Sequence, residues 1–433
     1  MTTWAQRDQK IIWHPFTQEK TADLPFVIQK GQGSWLYDEQ GHKYLDLISS
    51  WWVNLHGHGH PDIAKAIYDQ ALTLEHVIFA GFTHQPAVML CEQLQQLLPS
   101  QLCRFFFSDN GSTAVEVAMK MAYQYACNRG DQDRTLFLCF EGGYHGDTFG
   151  AMSVSATSGF HTSFSKLLFT TRTIPYPATW WQDDTIEMRE AQALEILEDY
   201  LKKDGHKIAA LILEPLIQGA SGMRMCRPCF IDRVMEQVKS FNIPVIFDEV
   251  MTGFGRTGTT FALEQLKITP DFLCLSKGLT GGFLPLALTV TTSEIYTAFL
   301  DDQFTKAFAH GHSYTANPLG CAAALASLKL LQHPEMSQSW QIIHQQHREG
   351  LENLQDKGMI ERPRLLGTIA AFQMPDIYTP TMMKSLKEKF RQQGLLLRPL
   401  GNTVYLLPPY CTLKNDLKES YDKIEKILNN FKL

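Results

Sequence analysis

Six short, almost wholly apolar runs constrain this chain most, at 103–107, 135–140, 208–213, 244–247, 272–275 and 286–290. Stretches with helical spacing separate them. A strand that is apolar throughout has both faces buried, and one that alternates with helices is covered by them. The pattern predicts an α/β fold, with a mostly parallel sheet between helices from about 55 to 325. In such a sheet ligands collect past the carboxyl ends of the strands. Residues that perform chemistry are therefore expected just after the apolar runs.

The two ends read differently. Residues 1–54 are expected to form an N-terminal arm and a hairpin: 33–38 and 43–47 alternate apolar with polar around a turn at 38–41. From 326 to 433 helices lead into apolar segments at 395–400 and 404–407. Gly401 and Asn402 between them predict a tight hairpin. This end is expected to form a small α+β domain together with the N-terminal hairpin.

The bulk properties narrow the class. Apolar residues make up 44% and charged residues 19%, with a net charge of −6, so a compact globular chain is expected. No basic stripe favours nucleic acid or anionic membrane as a partner. No apolar run is long enough to span a bilayer and the N-terminus lacks a signal-peptide pattern, so a cytoplasmic protein is expected.

Five sites after the apolar runs carry possible chemistry. Ser108 to Thr113 joins a strand to a helix predicted over 114–126. Gly111 and Ser112 there offer free amides and a hydroxyl where the helix dipole favours an anion, although a plain N-cap has the same composition. Asp248 ends the run at 244–247. A carboxylate with apolar neighbours needs a cation, such as a protonated pyridine nitrogen, or else serves as a structural cap. Lys277 leaves an apolar strand into a glycine-rich loop, which suits a desolvated nucleophilic amine; an isolated lysine would more often be a snorkelling one. Tyr144, after Gly142 and Gly143, offers a flat face for stacking, with His145 and Asp147 either contacting a ligand or supporting it. Arg398, in an otherwise apolar segment, calls for a carboxylate from a substrate or from the protein itself.

Other motifs carry less. His56, His58 and His60, and His310 with His312, resemble metal ligands but have no nearby thiolate or carboxylate at a zinc spacing, so no metal is expected. Cys226 and Cys229 spell CxxC without a second pair, which reads as structural thiols. Trp51 and Trp52 cannot both face inwards on a strand, so one of them is expected to line a pocket or an interface.

The stretch from Asp248 through Arg256 to Gly258, followed by Ser276, Lys277 and the glycines at 278, 281 and 282, resembles the signature of class-III aminotransferases of fold type I. The resemblance spans nearly the whole chain. It implies a large domain with a seven-stranded-type sheet, pyridoxal 5′-phosphate as cofactor, and a homodimer with shared active sites. By match, Lys277 carries the cofactor, Asp248 meets the pyridine nitrogen, and Gly111 and Ser112 hold the phosphate. Tyr144 and Val250 pack on the two ring faces, while His312 and Ser313 approach the partner subunit's phosphate.

Trp13 to Phe16, Ser50 to Trp52, the 56–60 histidines, and Arg398 with Tyr405 and Tyr410 resemble one branch of that class. The branch moves an amino group from S-adenosylmethionine to 8-amino-7-oxononanoate in biotin synthesis. The resemblance implies that Phe16, Trp51, Trp52, Tyr144, Lys277, Gly311 and Arg398 line the substrate site. Two positions depart from the branch: Phe16 replaces a tyrosine, and His312 stands where proline is common. A class-III ω-transaminase with another donor, an isomerase of the same fold, and a non-catalytic descendant are the competing readings.

Overall fold

The computed structural model describes residues 2–155, 161–375 and 377–431. Its centre is a seven-stranded sheet. In chain order the strands are β1 (Leu102–Ser108), β2 (Leu136–Phe140), β3 (Thr171–Ile174), β4 (Ile208–Leu213), β5 (Val245–Asp248), β6 (Phe272–Leu275) and β7 (Ala287–Thr292). Across the sheet they run β1-β7-β6-β5-β4-β2-β3. All pairings are parallel except those of β7, which is antiparallel to both neighbours.

The expected mostly parallel sheet is therefore present, and its central strands are apolar because helices cover both faces. All six residues of β4 and all four of β6 are buried. Truncating one of them, for example Leu211→Ala, would cost roughly 2–5 kcal/mol. Strand β3 has no counterpart among the six apolar runs. Its sequence Thr-Arg-Thr-Ile is mostly polar because β3 lies at the sheet edge, where only Ile174 is buried.

The helix Gly111–Asn128 shows how one segment positions the site. Asn110 caps it by accepting from the Thr113 amide at 3.1 Å. Among the described residues the Gly111 and Ser112 amides have no acceptor, as expected of the first N–H groups of a helix. Small residues, Ala114, Ala118 and Ala122, bring the buried face close to the sheet.

The termini build two further sheets. One has Ile28–Gln32, Trp35–Asp38 and Lys43–Asp46 in antiparallel order, with Leu395–Leu396 added parallel to the last. The other has Glu361–Leu366, Ile369–Gln373 and Thr403–Leu406. The hairpin expected from 395–400 and 404–407 is thus corrected. The two segments do turn at Gly401, where Leu400 and Thr403 exchange backbone bonds. They then diverge into different sheets, because Leu395 pairs with Leu45 while Val404 pairs with Phe372. Arg398 consequently lies between strands and not within one. The helix Pro318–Leu331 runs through the expected domain junction at 325–326.

Candidate active site

Four chain segments deliver functional groups to one cavity at the carboxyl end of the sheet. Asp248 is the last residue of β5, Glu214 follows β4, Tyr144 follows β2, and Lys277 follows β6. With the Gly111–Asn128 helix start these line a cavity of roughly 700 Å3. Of the predicted cofactor-site residues, Gly111, Ser112, Tyr144, Asp248, Val250 and Lys277 all line it.

Asp248 is buried, and its Oδ2 lies 2.8 Å from His145 Nδ1. A carboxylate only accepts, so the imidazole carries its hydrogen on Nδ1. The other oxygen, Oδ1, accepts from the Val250 amide at 3.0 Å. His145 orients Asp248, the supporting role, and it also lines the cavity, which leaves the contact role open to it as well.

Lys277 adopts a left-handed backbone (φ 46°), unusual for a side chain with a Cβ and tolerated only where the surroundings fix it. Its amine sits over the Trp52 ring, 4.6 Å from the centroid. Among the described residues it has no carboxylate within ion-pairing distance and no hydrogen-bond acceptor. It opens on the cavity and so stays half-accessible, but enough protein surrounds it to make its charge costly. Desolvation lowers its pKa to about 8, against the opposing pull of Asp248 and Glu214. The lowered pKa makes a larger share of this amine neutral, and so nucleophilic, near neutral pH than in a surface lysine.

Glu214 is a functional residue that sequence reasoning misses, although it occupies the same position as the others, one residue past an apolar strand. Its oxygens accept from the Tyr144 and Gly219 amides at 3.2 and 3.0 Å. Burial raises its pKa to about 7, with the nearby Asp248 adding to the rise. It braces the loop that carries Tyr144. The Tyr144 hydroxyl donates to Asp147 Oδ2 at 2.8 Å, and Asp147 Oδ1 lies 3.0 Å from His161 Nε2.

The floor is closely fitted. A Cβ on Gly111 would stand 2.6 Å from Val250 Cγ1, and one on Gly146 would run into the Ser112 hydroxyl. Ser112 Oγ also accepts from the Thr148 amide at 3.1 Å. The free amides at a helix start, a hydroxyl beside them, a buried carboxylate and an unpaired amine suit an aromatic cofactor with a phosphate tail and an aldehyde. Pyridoxal phosphate fits that description.

A second cavity, of roughly 870 Å3, opens beside the first and shares Trp52, Val53, Tyr144, Asp147 and Lys277 with it. Phe16, Trp51 and Arg398 line only this outer cavity. The Arg398 guanidinium stacks over the Trp51 ring at 4.4 Å, and the Phe16 ring meets Trp51 edge-on at 5.7 Å. The Trp pair is not on a strand. Residues Ser49–Trp52 form a distorted turn with Ser49, Ser50 and Trp52 left-handed. Asp46 holds it by accepting from the Ile48 and Ser50 amides, and His58 lies 2.9 Å from the same carboxylate. Trp52 is thereby buried, donating to the Tyr405 hydroxyl at 3.0 Å, while Trp51 stays exposed to the cavity.

Gly311, His312 and Ser313 line neither cavity of this protomer. Gly311 and Ser313 are exposed, and His312 Nδ1 lies 3.6 Å from Asp109. The other histidines of the two metal-like motifs have protein partners: His56 bonds Ser327 at 3.0 Å, and burial lowers its pKa to about 3, while His58 meets Asp46, His60 the Asp62 amide and His310 the Lys120 amine. Cys226 is buried, which raises its thiol to about 12, whereas Cys229 is exposed.

The class-III aminotransferase family matches residues 16–428. The adenosylmethionine-8-amino-7-oxononanoate aminotransferase of Synechococcus elongatus is 51% identical over 96% of this chain and 98% of its own. The crystal structure of the enzyme of that name from Methanocaldococcus jannaschii superposes with a TM-score of 0.91, at 35% identity over 99% of both chains. An amine transaminase from an uncultivated Pseudomonas species, solved in its PLP-bound form, gives a TM-score of 0.91 at 29% identity, covering 98% of this chain and 99% of that one.

Proposed function

The chain belongs to the class-III aminotransferases, and on that premise we propose that it transfers the amino group of S-adenosylmethionine to 8-amino-7-oxononanoate, giving 7,8-diaminononanoate for biotin synthesis. The observation that carries this reading is the joined pair of cavities. Lys277, Trp52 and Tyr144 line both, and among the described residues one guanidinium, Arg398, is set in the outer one. An amino group would be exchanged at the inner end while the acceptor's carboxylate rests on Arg398.

The cofactor is pyridoxal phosphate, whose ring, when bound, supplies an electron sink for the carbon next to the migrating amine. The chain supplies the rest. Gly111 and Ser112 would hold the phosphate, Asp248 the ring nitrogen, and Val250 and Tyr144 the two faces. Lys277 would hold the aldehyde end of the cofactor, and its amine, when free, would carry the proton at the carbon next to the migrating amine. Trp52 covers one side of the Lys277 amine.

The exposed Gly311 and Ser313, on either side of His312, support a homodimer in which Ser313 reaches the partner's site. Pairing of Leu395–Leu396 with Lys43–Asp46 supports one small domain built from about 1–54 and 326–433, beside a large domain at 55–325. No helix among the described residues is long and apolar enough to cross a membrane, which agrees with a cytoplasmic location.

The test is release of diaminononanoate by the purified protein with S-adenosylmethionine and 8-amino-7-oxononanoate, against lysine, a diamine or a β-amino acid as donor. Product with S-adenosylmethionine as the sole effective donor is expected. Turnover with another donor only would favour an ω-transaminase, a reading that Phe16 in the outer cavity and the match to an amine transaminase both allow.

A further inference from the structure

Away from Lys277, a third cavity of roughly 410 Å3 is lined by four arginines, Arg189, Arg224, Arg362 and Arg364, together with Tyr176 and Trp180. Only Arg189 has an acid partner, Asp183. Among the described residues, Arg224, Arg362 and Arg364 have no carboxylate within 4.0 Å, so three positive charges share one concavity without compensation. Their neighbours are carbonyls and rings. Arg364, which is buried, donates to Met223 O at 2.8 Å and to Gly222 O. Arg224 donates to Tyr176 O at 3.0 Å and stands over the Tyr176 ring.

Arg362 is turned into this cavity by its backbone. The register of Glu361–Leu366 slips between Glu361 and Arg364, and Arg362 between them is left-handed (φ 47°). Bulges of this kind re-aim a side chain at local cost. The result places the Arg362 guanidinium 4.6 Å from the Trp180 ring centroid, with Arg189 at 4.8 Å from the same ring.

We propose that this cavity is a second ligand site, built for a phosphate-class dianion, either inorganic phosphate or a phosphate monoester. Guanidiniums approaching from several elements match the tetrahedral spread of phosphate oxygens and bind it through charge-assisted bonds. The cluster is electrostatically unfavourable on its own. Burial, with Arg362 and Arg224 adding like charge, lowers the Arg364 pKa to about 10, and a bound anion would relieve that repulsion.

Occupancy would also be felt at the substrate cavity. Ser221 lines both cavities, and Gly222, which Arg364 holds, lines the outer one. The ligand would therefore stiffen the 219–225 loop and alter KM before kcat.

The test titrates the holoenzyme, saturated with its cofactor, with inorganic phosphate and separately with glycerol 2-phosphate, by calorimetry at constant ionic strength held with chloride. Saturable binding in addition to the cofactor site is expected, weakened about tenfold or more by Arg362→Gln, a loss equivalent to one charge-assisted bond. Arg362 is exposed, so that variant should fold, and its cofactor absorbance checks this. The tighter of the two probes tells whether the site is made for the free ion or for an ester. No saturable binding, equal binding of chloride, or binding unchanged in both Arg362→Gln and Arg224→Gln would overturn the proposal.

Discussion

His145 Nδ1 and Asp248 Oδ2 are 2.8 Å apart in a place where both side chains are almost wholly buried. The bond fixes the imidazole tautomer and aims the carboxylate at the cavity. An anion so placed would act on the charge that builds on the cofactor ring during the reaction, where preorganised groups contribute most.

Asp248→Asn keeps the shape and removes the charge. We expect kcat to fall by about 10²–10³-fold, the range seen when a preorganised electrostatic contact is lost. Circular dichroism should be unchanged. An asparagine enzyme working within about threefold of wild type would remove Asp248 from the mechanism.

The half-sunk amine of Lys277 gives a pH prediction. Its pKa falls from 10.5 to about 8, so between those values the unfolded chain binds a proton that the cofactor-free folded chain does not. Stability of the cofactor-free protein therefore rises with pH across that window, and the full cost of charging is present below about 8. Lys277→Met should relieve it, stabilising the cofactor-free protein at pH 7 by up to about 3 kcal/mol, less where water enters the cavity. The same shift sets reactivity: cofactor rebinding to wild type should accelerate with pH and level off above about 8. A rebinding midpoint close to the ordinary lysine value of 10.5 would contradict it.

Arg398 is the guanidinium in the outer cavity, held flat on Trp51. Arg398→Met should raise KM for 8-amino-7-oxononanoate by roughly 10–100-fold, the value of a hydrogen bond to a charged group. The half-reaction with the amino donor should change far less. Equal losses in both half-reactions would mean that Arg398 supports the fold of the outer cavity and does not hold the acceptor.

Much of this arrangement is legible in the amino-acid sequence. Asp248, Lys277, Tyr144 and Gly111 all stand past apolar runs, and a rule about strand ends finds them. The same rule reaches Glu214 after Ile208–Leu213, yet nothing in composition separates a bracing carboxylate from a surface one until its amide partners are seen. Strand Thr171–Ile174 escapes because an edge strand need not be apolar. The turn at Gly401 is legible locally, but its flanks part into separate sheets. Their partners, Leu45 and Phe372, are distant in sequence, so no local pattern reveals the divergence. Trp51 and Trp52 illustrate the same limit. One of them does face a pocket, but not by the alternation of a strand: the pair lies on a left-handed turn tied to Asp46, and that turn decides that it is Trp51.

Arg256 belongs to the signature that marks the family, and its geometry assigns it to the frame. It is fully buried, donating from Nη1 to Pro408 O and from Nη2 to Asn54 O, both at 3.0 Å, with Tyr410 under its plane. It therefore ties the N-terminal loop beside the cavity to the C-terminal segment. Burial lowers its pKa, but an arginine remains charged through any working pH, so the cost is constant and gives no pH signature. Two effects compete in Arg256→Met. The change removes a desolvated charge, which favours the variant, and strands two buried carbonyls at about 1–3 kcal/mol each. The carbonyls should win, because methionine offers neither of them a donor. We expect a net loss of about 2–4 kcal/mol in equilibrium unfolding. Arg256→Lys should recover little, since one ammonium cannot span both carbonyls in the fixed geometry of a guanidinium. A lysine variant as stable as wild type would show that charge, and not the two-pronged bridge, is what this position requires.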